Sequence, residues 1–317
     1  KILITGACGM MGTHLVEFYA KQNIIPIATH YKPTANIGEV KSLAVWLECD
    51  VRYFQHLHSV ISQYKPTIIY HLAAQSFPTV SWERAAETMD INVGGTVNLL
   101  DSIKILKQED KNYNPKVVIA CSSAQYGSSL TPENVPITED KPMLPLHPYG
   151  VSKVTQDLLG YQYFMNYGIR TIRARIFNTT GIRKINDAAS EFTRRAVLIK
   201  KGKLDKFPVG NLTAQRAITD VRDLIQALDL LARKGTDGEA YNVCGDKIYL
   251  MSDIIEYIKK IIGIDFETYQ DSSLMRPMDE PVIVGSSAKL LKDTGWKQSI
   301  DIETTLRDMI DYWNMTL

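Results

Sequence analysis

The first dozen residues restrict the fold more than any other stretch. Ile2–Thr5 is a short apolar run rich in β-branched residues, Gly6-Ala-Cys-Gly9-Met-Met-Gly12 comes directly after it, and His14–Gln22 has helical character. A continuous apolar strand of this kind reads as buried in a parallel sheet, and a strand entering a helix through a glycine turn opens a βαβ unit. Glycines at this spacing permit a tight turn, close approach of backbone to a pyrophosphate, and close packing of helix on strand. The free N–H groups and dipole at the helix start favour an anion. A glycine turn that holds no ligand is the plainer alternative. Its framing by strand and helix favours a dinucleotide, contacted at Gly6, Gly9, Met10, Met11 and Gly12.

The same rhythm continues. Strands are expected at Ile24–Thr29, Ala44–Cys49, Ile68–Leu72, Val117–Cys121 and Arg170–Phe177, with helical patterns between them, among them Glu83–Lys107 and Tyr149–Tyr167. Alternation of this kind predicts an α/β fold with a doubly wound parallel sheet. After Phe177 the rhythm breaks. Ala240–Cys244 reads as one more strand of the main sheet, and Met251–Ile262, Ser286–Leu291 and Ile302–Asn314 read as helices. The expected division is therefore a dinucleotide-binding domain at 1–177, with a returning segment near 218–244. A smaller C-terminal domain is expected from 178–217 and 245–317. The proline-rich loop 128–148 is expected to cap the site.

Ligands of open α/β sheets bind at the carboxyl ends of the strands. The second strand ends Thr29-His30-Tyr31-Lys32 with no acid to take the adenosine ribose hydroxyls, whereas His30 and Lys32 accommodate a 2′-phosphate. NADP(H) is thus favoured over NAD(H), although a solvated tip carrying a stray lysine reads the same way. Asp50 and Val51 close the third strand, where a carboxylate meets the adenine amino group. Leu72, Ala73 and Ala74 are small or apolar and let a cofactor lie against the backbone.

Ser122 ends the fifth strand, and Tyr149 and Lys153 lie one helical turn apart on one face. A phenol is a poor acid or base near neutrality, and a neighbouring ammonium is expected to favour its phenolate. With a hydroxyl at Ser122 holding the substrate oxygen, the three describe a proton relay for reducing a carbonyl or oxidising a secondary alcohol. The pair alone also describes a half-buried tyrosine with a lysine snorkelling beside it.

Composition excludes other classes. The chain of 317 residues is 45% apolar and carries a formal charge of +1, so bulk attraction to nucleic acid or membrane is not expected. Residues 178–217 hold nine Lys or Arg against three acids, which points to a local anionic ligand such as a diphosphate. Lys200, Lys201 and Lys203 read instead as a solvated basic face. Basic residues without interleaved aromatics give no nucleic-acid platform. Four scattered cysteines suggest neither disulfides nor a metal site. With no membrane span and no leader before the first strand, a cytoplasmic location is expected.

Taken together, Gly6/Gly9/Gly12, His71-Leu-Ala-Ala74, Asn92-Val-Gly-Gly-Thr96, Ser122 with Tyr126-Gly127, Tyr149/Lys153, Arg175-Ile-Phe-Asn178 and Arg276-Pro277 resemble the extended short-chain dehydrogenase/reductases of nucleotide sugars. The resemblance spans nearly the whole chain. It implies a Rossmann-like domain with a smaller substrate domain, and a homodimer joined through the helices near 84–107 and 149–167. It implies that Tyr149 is the acid/base, that Lys153 holds the nicotinamide ribose, and that Ser122 orients the sugar carbonyl. Asn92 and Ile176 are implied on the cofactor side. Gln75, Ser123, Asn178, Val209, Asn211, Arg216, Arg276 and Glu280 are implied around the sugar nucleotide. No metal is implied.

Leu146-His-Pro-Tyr-Gly-Val-Ser-Lys153, Val209-Gly-Asn-Leu-Thr-Ala-Gln-Arg216, Tyr241-Asn-Val-Cys244 and Gly295-Trp-Lys297 resemble the branch of GDP-mannose 4,6-dehydratases and GDP-4-keto-6-deoxy-mannose reductases, so a GDP-linked sugar is favoured. Asp220-Val-Arg-Asp223 continues that likeness, whereas Ala217 departs from it, since the branch has Asp after the arginine. Dehydration needs a carboxylate beside the catalytic hydroxyl, and here Ser123 and Ala124 occupy those places. Reduction of a GDP-4-keto-6-deoxy sugar, hexose or heptose, is therefore the expected activity. An epimerase or dehydratase of the same fold and a non-catalytic nucleotide sensor are the alternatives.

Overall fold

In the computed structural model, which describes residues 1–275 and 280–317, seven parallel strands form one sheet: β1 (Ile2–Thr5), β2 (Ile27–His30), β3 (Val45–Glu48), β4 (Ile68–His71), β5 (Lys116–Ser122), β6 (Arg170–Ile176) and β7 (Ala240–Val243). Their order is β7-β6-β5-β4-β1-β2-β3. Leu3 of β1 pairs with Ile27 on one side and Ile69 on the other. The chain winds outward from β1 to β3, then crosses back to β4. Connections leaving β1 and β4 therefore diverge and open a crevice at their carboxyl ends. The expected return of 240–244 occurs, as β7 pairs with β6 along the sheet edge.

Alternate residues of each strand feed opposite faces. Ile4, Tyr70, Val118 and Ala174 pack under α1 (Met10–Ala20) and the later helix Val221–Lys234, and Leu3, Ile69, Val117 and Ile119 pack under α2 (Phe54–Tyr64) and α3 (Gly95–Glu109). The catalytic-motif helix α4 (Pro148–Tyr167) lies against β5 and β6. A separate apolar core joins α5 (Ala188–Lys200), α7 (Met251–Ile262) and α8 (Ile302–Thr316), centred on Phe192, Phe207, Ile254, Ile258 and Leu306. The helix Val221–Lys234 is α6.

Three expectations need correction. The second strand begins at Ile27 instead of Ile24, after a turn in which Asn23 has φ +58°. The single helical pattern at Glu83–Lys107 is broken into Pro78–Glu83, Ala85–Met89, one wide π turn at Asp90–Gly94, and α3. The loop 128–148 meets the crevice only at its end, through His147, whereas Leu130 and Ile137 bury against Phe177, Cys244 and Val282–Val284. Among the described residues no helix is long and apolar enough to cross a membrane, and no cluster of His, Cys, Asp and Glu is arranged to hold a metal.

Candidate active site

One cavity of about 1130 Å³ runs along the strand ends and receives residues from both cores. Its volume suits a ligand, or pair of ligands, at the upper end of what such clefts enclose.

At one end lies the first glycine turn. Gly6 has φ +66°, and a Cβ there would stand 2.6 Å from the Ala73 backbone. A Cβ on Gly12 would stand 2.4 Å from the Ala7 backbone, so α1 approaches the strand as closely as only glycine permits. No side chain caps the start of α1 at Gly9, which leaves its N–H groups to a ligand. Gly6, Gly9, Met10, Met11, Gly12, Asp50, Val51, Leu72, Ala73, Ala74 and Ile176 all line the cavity. The cradle fits a dinucleotide pyrophosphate.

Beyond the turn, the tip of β2 differs from expectation. His30 packs its ring against Trp46, 6.2 Å between centroids, and does not line the cavity. Tyr31, Lys32 and Arg52 do. Lys32 Nζ lies 5.3 Å and the Arg52 guanidinium 5.7 Å from the centre of the Tyr31 ring, so two cations converge on one aromatic. Arg52 also holds Asp50, its Nη2 donating to Oδ2 at 2.6 Å and its Nε to Oδ1 at 3.0 Å. Burial opposes ionisation of Asp50, but these bonds outweigh it and keep the carboxyl below its ordinary range.

In the middle, β5 delivers Ser122 and α4 delivers Tyr149 and Lys153. Pro148 occupies the first turn of α4, and His147 caps it, Nδ1 accepting the Gly150 N–H at 3.1 Å. The His147 ring stacks on Tyr149 at 5.9 Å and 16°. The Ser122 hydroxyl accepts the Ala124 N–H at 3.2 Å and lies near enough to the Tyr149 phenol to favour its ionised form. Lys153 Nζ donates to the Ala120 carbonyl at 2.7 Å and stands 5.6 Å from the Tyr149 ring centre. The expectation that the ammonium would favour the phenolate is not met. Burial pushes the Tyr149 phenol up to about 12 even though Ser122 opposes this, and burial pulls Lys153 down to about 8. Desolvation exceeds charge attraction here. Tyr149 is accordingly a protonated acid at neutral pH, the form that gives a proton to an alkoxide.

Several motif residues act from behind. Asn92 does not line the cavity; its Oδ1 accepts the Gln75 N–H at 2.8 Å, and Nδ2 donates to Gln75 O at 3.1 Å and to Ser152 Oγ at 2.9 Å. The wide π turn carries it there. The Thr96 hydroxyl donates to Asn92 O at 2.6 Å and lies 3.1 Å from His71 Nε2, and burial pulls His71 down to about 3, keeping it neutral. Buried Asp157 accepts from Arg173 Nη1 at 2.7 Å, Arg175 Nε at 2.8 Å and Gln125 Nε2 at 3.1 Å.

Of the residues expected around the sugar nucleotide, Gln75, Ser122, Ser123, Asn178, Asn211, Arg216 and Glu280 line the cavity. Val209 is buried in the second core, and its neighbour Gly210 takes the lining position. Arg276 lies outside the described residues. Sequence reasoning missed His147, Arg52 and Arg195. The signal for Arg195 was present, since Ala188, Glu191, Phe192 and Arg195 recur at helical spacing and all line the cavity. Lys200, Lys201 and Lys203 do not line it. They donate to the carbonyls of Ile262, Asn314 and Leu317 at 3.1, 2.9 and 2.8 Å, clamping the carboxyl ends of α7 and α8.

The family model described as GDP-mannose 4,6 dehydratase matches residues 3–309. A GDP-6-deoxy-D-mannose reductase of Pseudomonas aeruginosa is 28% identical over 320 residues, covering 99% of this chain and 97% of that protein. The solved structure of RMD from Pseudomonas aeruginosa complexed with NADPH superposes with a TM-score of 0.84 at 26% identity, covering 100% of both chains. A UDP-glucose 4-epimerase of Thermotoga maritima, solved with UDP-glucose, gives 0.90 at 22% identity over 99% of both chains, which shows the shared fold. The chain belongs to the GDP-mannose 4,6-dehydratase family and is an enzyme of its oxidoreductase type.

Proposed function

We propose that this member of the GDP-mannose 4,6-dehydratase family uses NADPH to reduce the C4 ketone of a GDP-4-keto-6-deoxy sugar, yielding a GDP-6-deoxy sugar. One observation carries the reading: Ser122, Tyr149 and Lys153 line one cavity together, and Ala124, whose side chain cannot carry a proton, lines it where elimination needs a carboxylate. Bound NADPH supplies the hydride that reduces C4. Ser122 donates a hydrogen bond to the ketone oxygen and fixes its place beside the phenol. Tyr149 gives its proton to that oxygen as the negative charge develops, and Lys153, held in place by the Ala120 carbonyl, is assigned to the nicotinamide ribose. Asn178, Arg195, Arg216 and Arg276 are assigned to the sugar nucleotide, whose diphosphate suits their charge. Lys32 and Arg52 favour the 2′-phosphate of NADPH over the free hydroxyl of NADH. The names of the Pseudomonas aeruginosa relatives support both choices.

The reading includes a homodimer through the outer face of α4, where Val151, Leu158 and Met165 recur every seventh residue and stay exposed. Sedimentation at micromolar concentration measures that state. The activity is tested by mixing the enzyme with NADPH and GDP-4-keto-6-deoxy-mannose. Equimolar loss of nicotinamide absorbance with appearance of GDP-6-deoxy sugar is expected. Product formed without consumption of NADPH would mean epimerisation and would overturn the proposal.

A further inference from the structure

Arg183 sits midway along the segment 178–187, which follows β6, pairs briefly at Thr179–Thr180 and enters α5 through the Asp187 cap. Its backbone is left-handed, φ +65°, a conformation that residues with side chains avoid unless the surroundings impose it. The imposition is visible. The side chain is 5% exposed, Nε donates to Glu39 Oε2 at 2.7 Å, and Nη2 donates to Glu17 Oε1 at 2.5 Å. Glu17 belongs to α1 and Glu39 to the short helical turn Ile37–Leu43, and neither lines the cavity.

His14, one turn before Glu17, lies near the contact: burial first, and the Arg183 charge after it, lower its pKa. Its Nδ1 lies 2.9 Å from the Met10 carbonyl, which can only accept, so the proton is on Nδ1 and Nε2 carries a lone pair. That lone pair is buried without a partner among the described residues, and so is the Arg183 Nη1 donor. The two atoms do not bond directly, but an unmet acceptor and an unmet donor on neighbouring side chains are the partners that a single bridging water requires.

We infer that Arg183 is a positioning residue, a clasp that fixes the substrate-binding segment 178–187 against the cofactor-binding helix α1. Everything it grips lies on the side of the glycine turn. Arg183 itself reaches the cavity wall, and the residues it holds in place, Asn178 and Lys184 in its own segment and Phe192 and Arg195 on α5, line the cavity with it. Fixing the middle of the segment sets where those side chains stand before a ligand arrives, which reduces the ordering cost of binding. The inference rests on the reading that this end of the cavity takes a nucleoside diphosphate.

The carboxylate partners give a test that does not disturb the cavity. Glu17→Gln with Glu39→Gln should weaken GDP binding to the NADPH-saturated enzyme by about three- to thirtyfold, the range in which residues remote from a ligand tune its affinity. KM for the sugar nucleotide should rise by the same factor, with kcat and NADPH affinity unchanged. Arg183→Asn, which tolerates the left-handed backbone, should give the same loss, and combining all three changes should add nothing further. Calorimetry with GDP, or with whichever of CDP, UDP and dTDP the wild type binds more tightly, supplies the affinities. The clasp is overturned if the two glutamine changes leave affinity at the wild-type value. It is equally overturned if they weaken NADPH as much as GDP. Because this comparison needs no turnover, a wild type that binds GDP without oxidising NADPH would sink the reductase reading and leave the clasp to be judged on the affinities.

Discussion

Asp157→Asn offers the sharpest prediction. Asp157 is fully buried on α4 and pairs with two arginines, Arg173 at 2.7 Å and Arg175 at 2.8 Å. The carboxamide keeps the shape but loses the charge, and it turns an NH2 group toward one of the guanidinium groups. Removing one partner of a buried ion pair costs about 3–5 kcal/mol, because the other charge stays buried without compensation. Here two cations lose their counter-ion, so the upper half of that range is expected, with a fall in Tm of about 6–12 °C for a chain of this size. Urea unfolding followed by tryptophan fluorescence at pH 7 should show a lower midpoint at unchanged slope. The pH dependence gives a second check. Burial opposes ionisation, but the arginine bonds prevail and hold the Asp157 carboxyl below its ordinary value. A depressed folded value contributes stability in full above the ordinary carboxyl pKa, about 3.9, and loses it as pH falls through the folded one. The gap between wild type and variant should thus be constant from pH 5 to 7 and close below about pH 4. A difference under about 1 kcal/mol at pH 7 would show that solvent reaches the pair and would refute the argument.

Tyr149→Phe should lower kcat by about two to four orders of magnitude at an unchanged unfolding midpoint, because it removes the proton donor alone; steady-state rates and a urea curve measure both. Burial lowers the Lys153 ammonium to about 8, so its charged form is lost as pH rises through that value. Consequently kcat/KM for NADPH, which reports the free enzyme, should fall above that pH, and Lys153→Arg should remove the alkaline limb from the profile. Lys32→Ala with Arg52→Ala should weaken NADPH by about tenfold or more while leaving NADH nearly unchanged, as two charge-assisted contacts to a 2′-phosphate disappear. Fluorescence titration of both nucleotides decides it.

Most of the scaffold was legible because its signals are local. The glycine turn, the apolar strands and the Tyr149/Lys153 spacing each depend on neighbours within a few residues. The features that escaped depend on depth or on distant partners. Spacing showed that Lys153 would sit a turn from Tyr149 but not that both would be buried, and burial reverses the expected direction for the phenol. His30 and Lys32 read alike as cations at a strand tip; only the fold turns one ring onto Trp46 and leaves Lys32 on the cavity. Asn92 was identified as a motif residue, yet its place behind Gln75 needs contacts across 17 positions. Leu130 and Ile137 carried an overlooked signal, since buried apolar residues in a long loop mark something it must cover.

The π turn at Asp90–Gly94 has a further consequence. Each residue added to a helix rotates the downstream segment by about 100°, so one wide turn puts the stretches on either side out of phase. Deleting a single position between 90 and 94 would restore an ordinary rod and swing Asn92 off Gln75 or Leu99 out of the interior. Any alignment, chimera or loop graft that treats 85–109 as one continuous cylinder will therefore set one of its two faces the wrong way round.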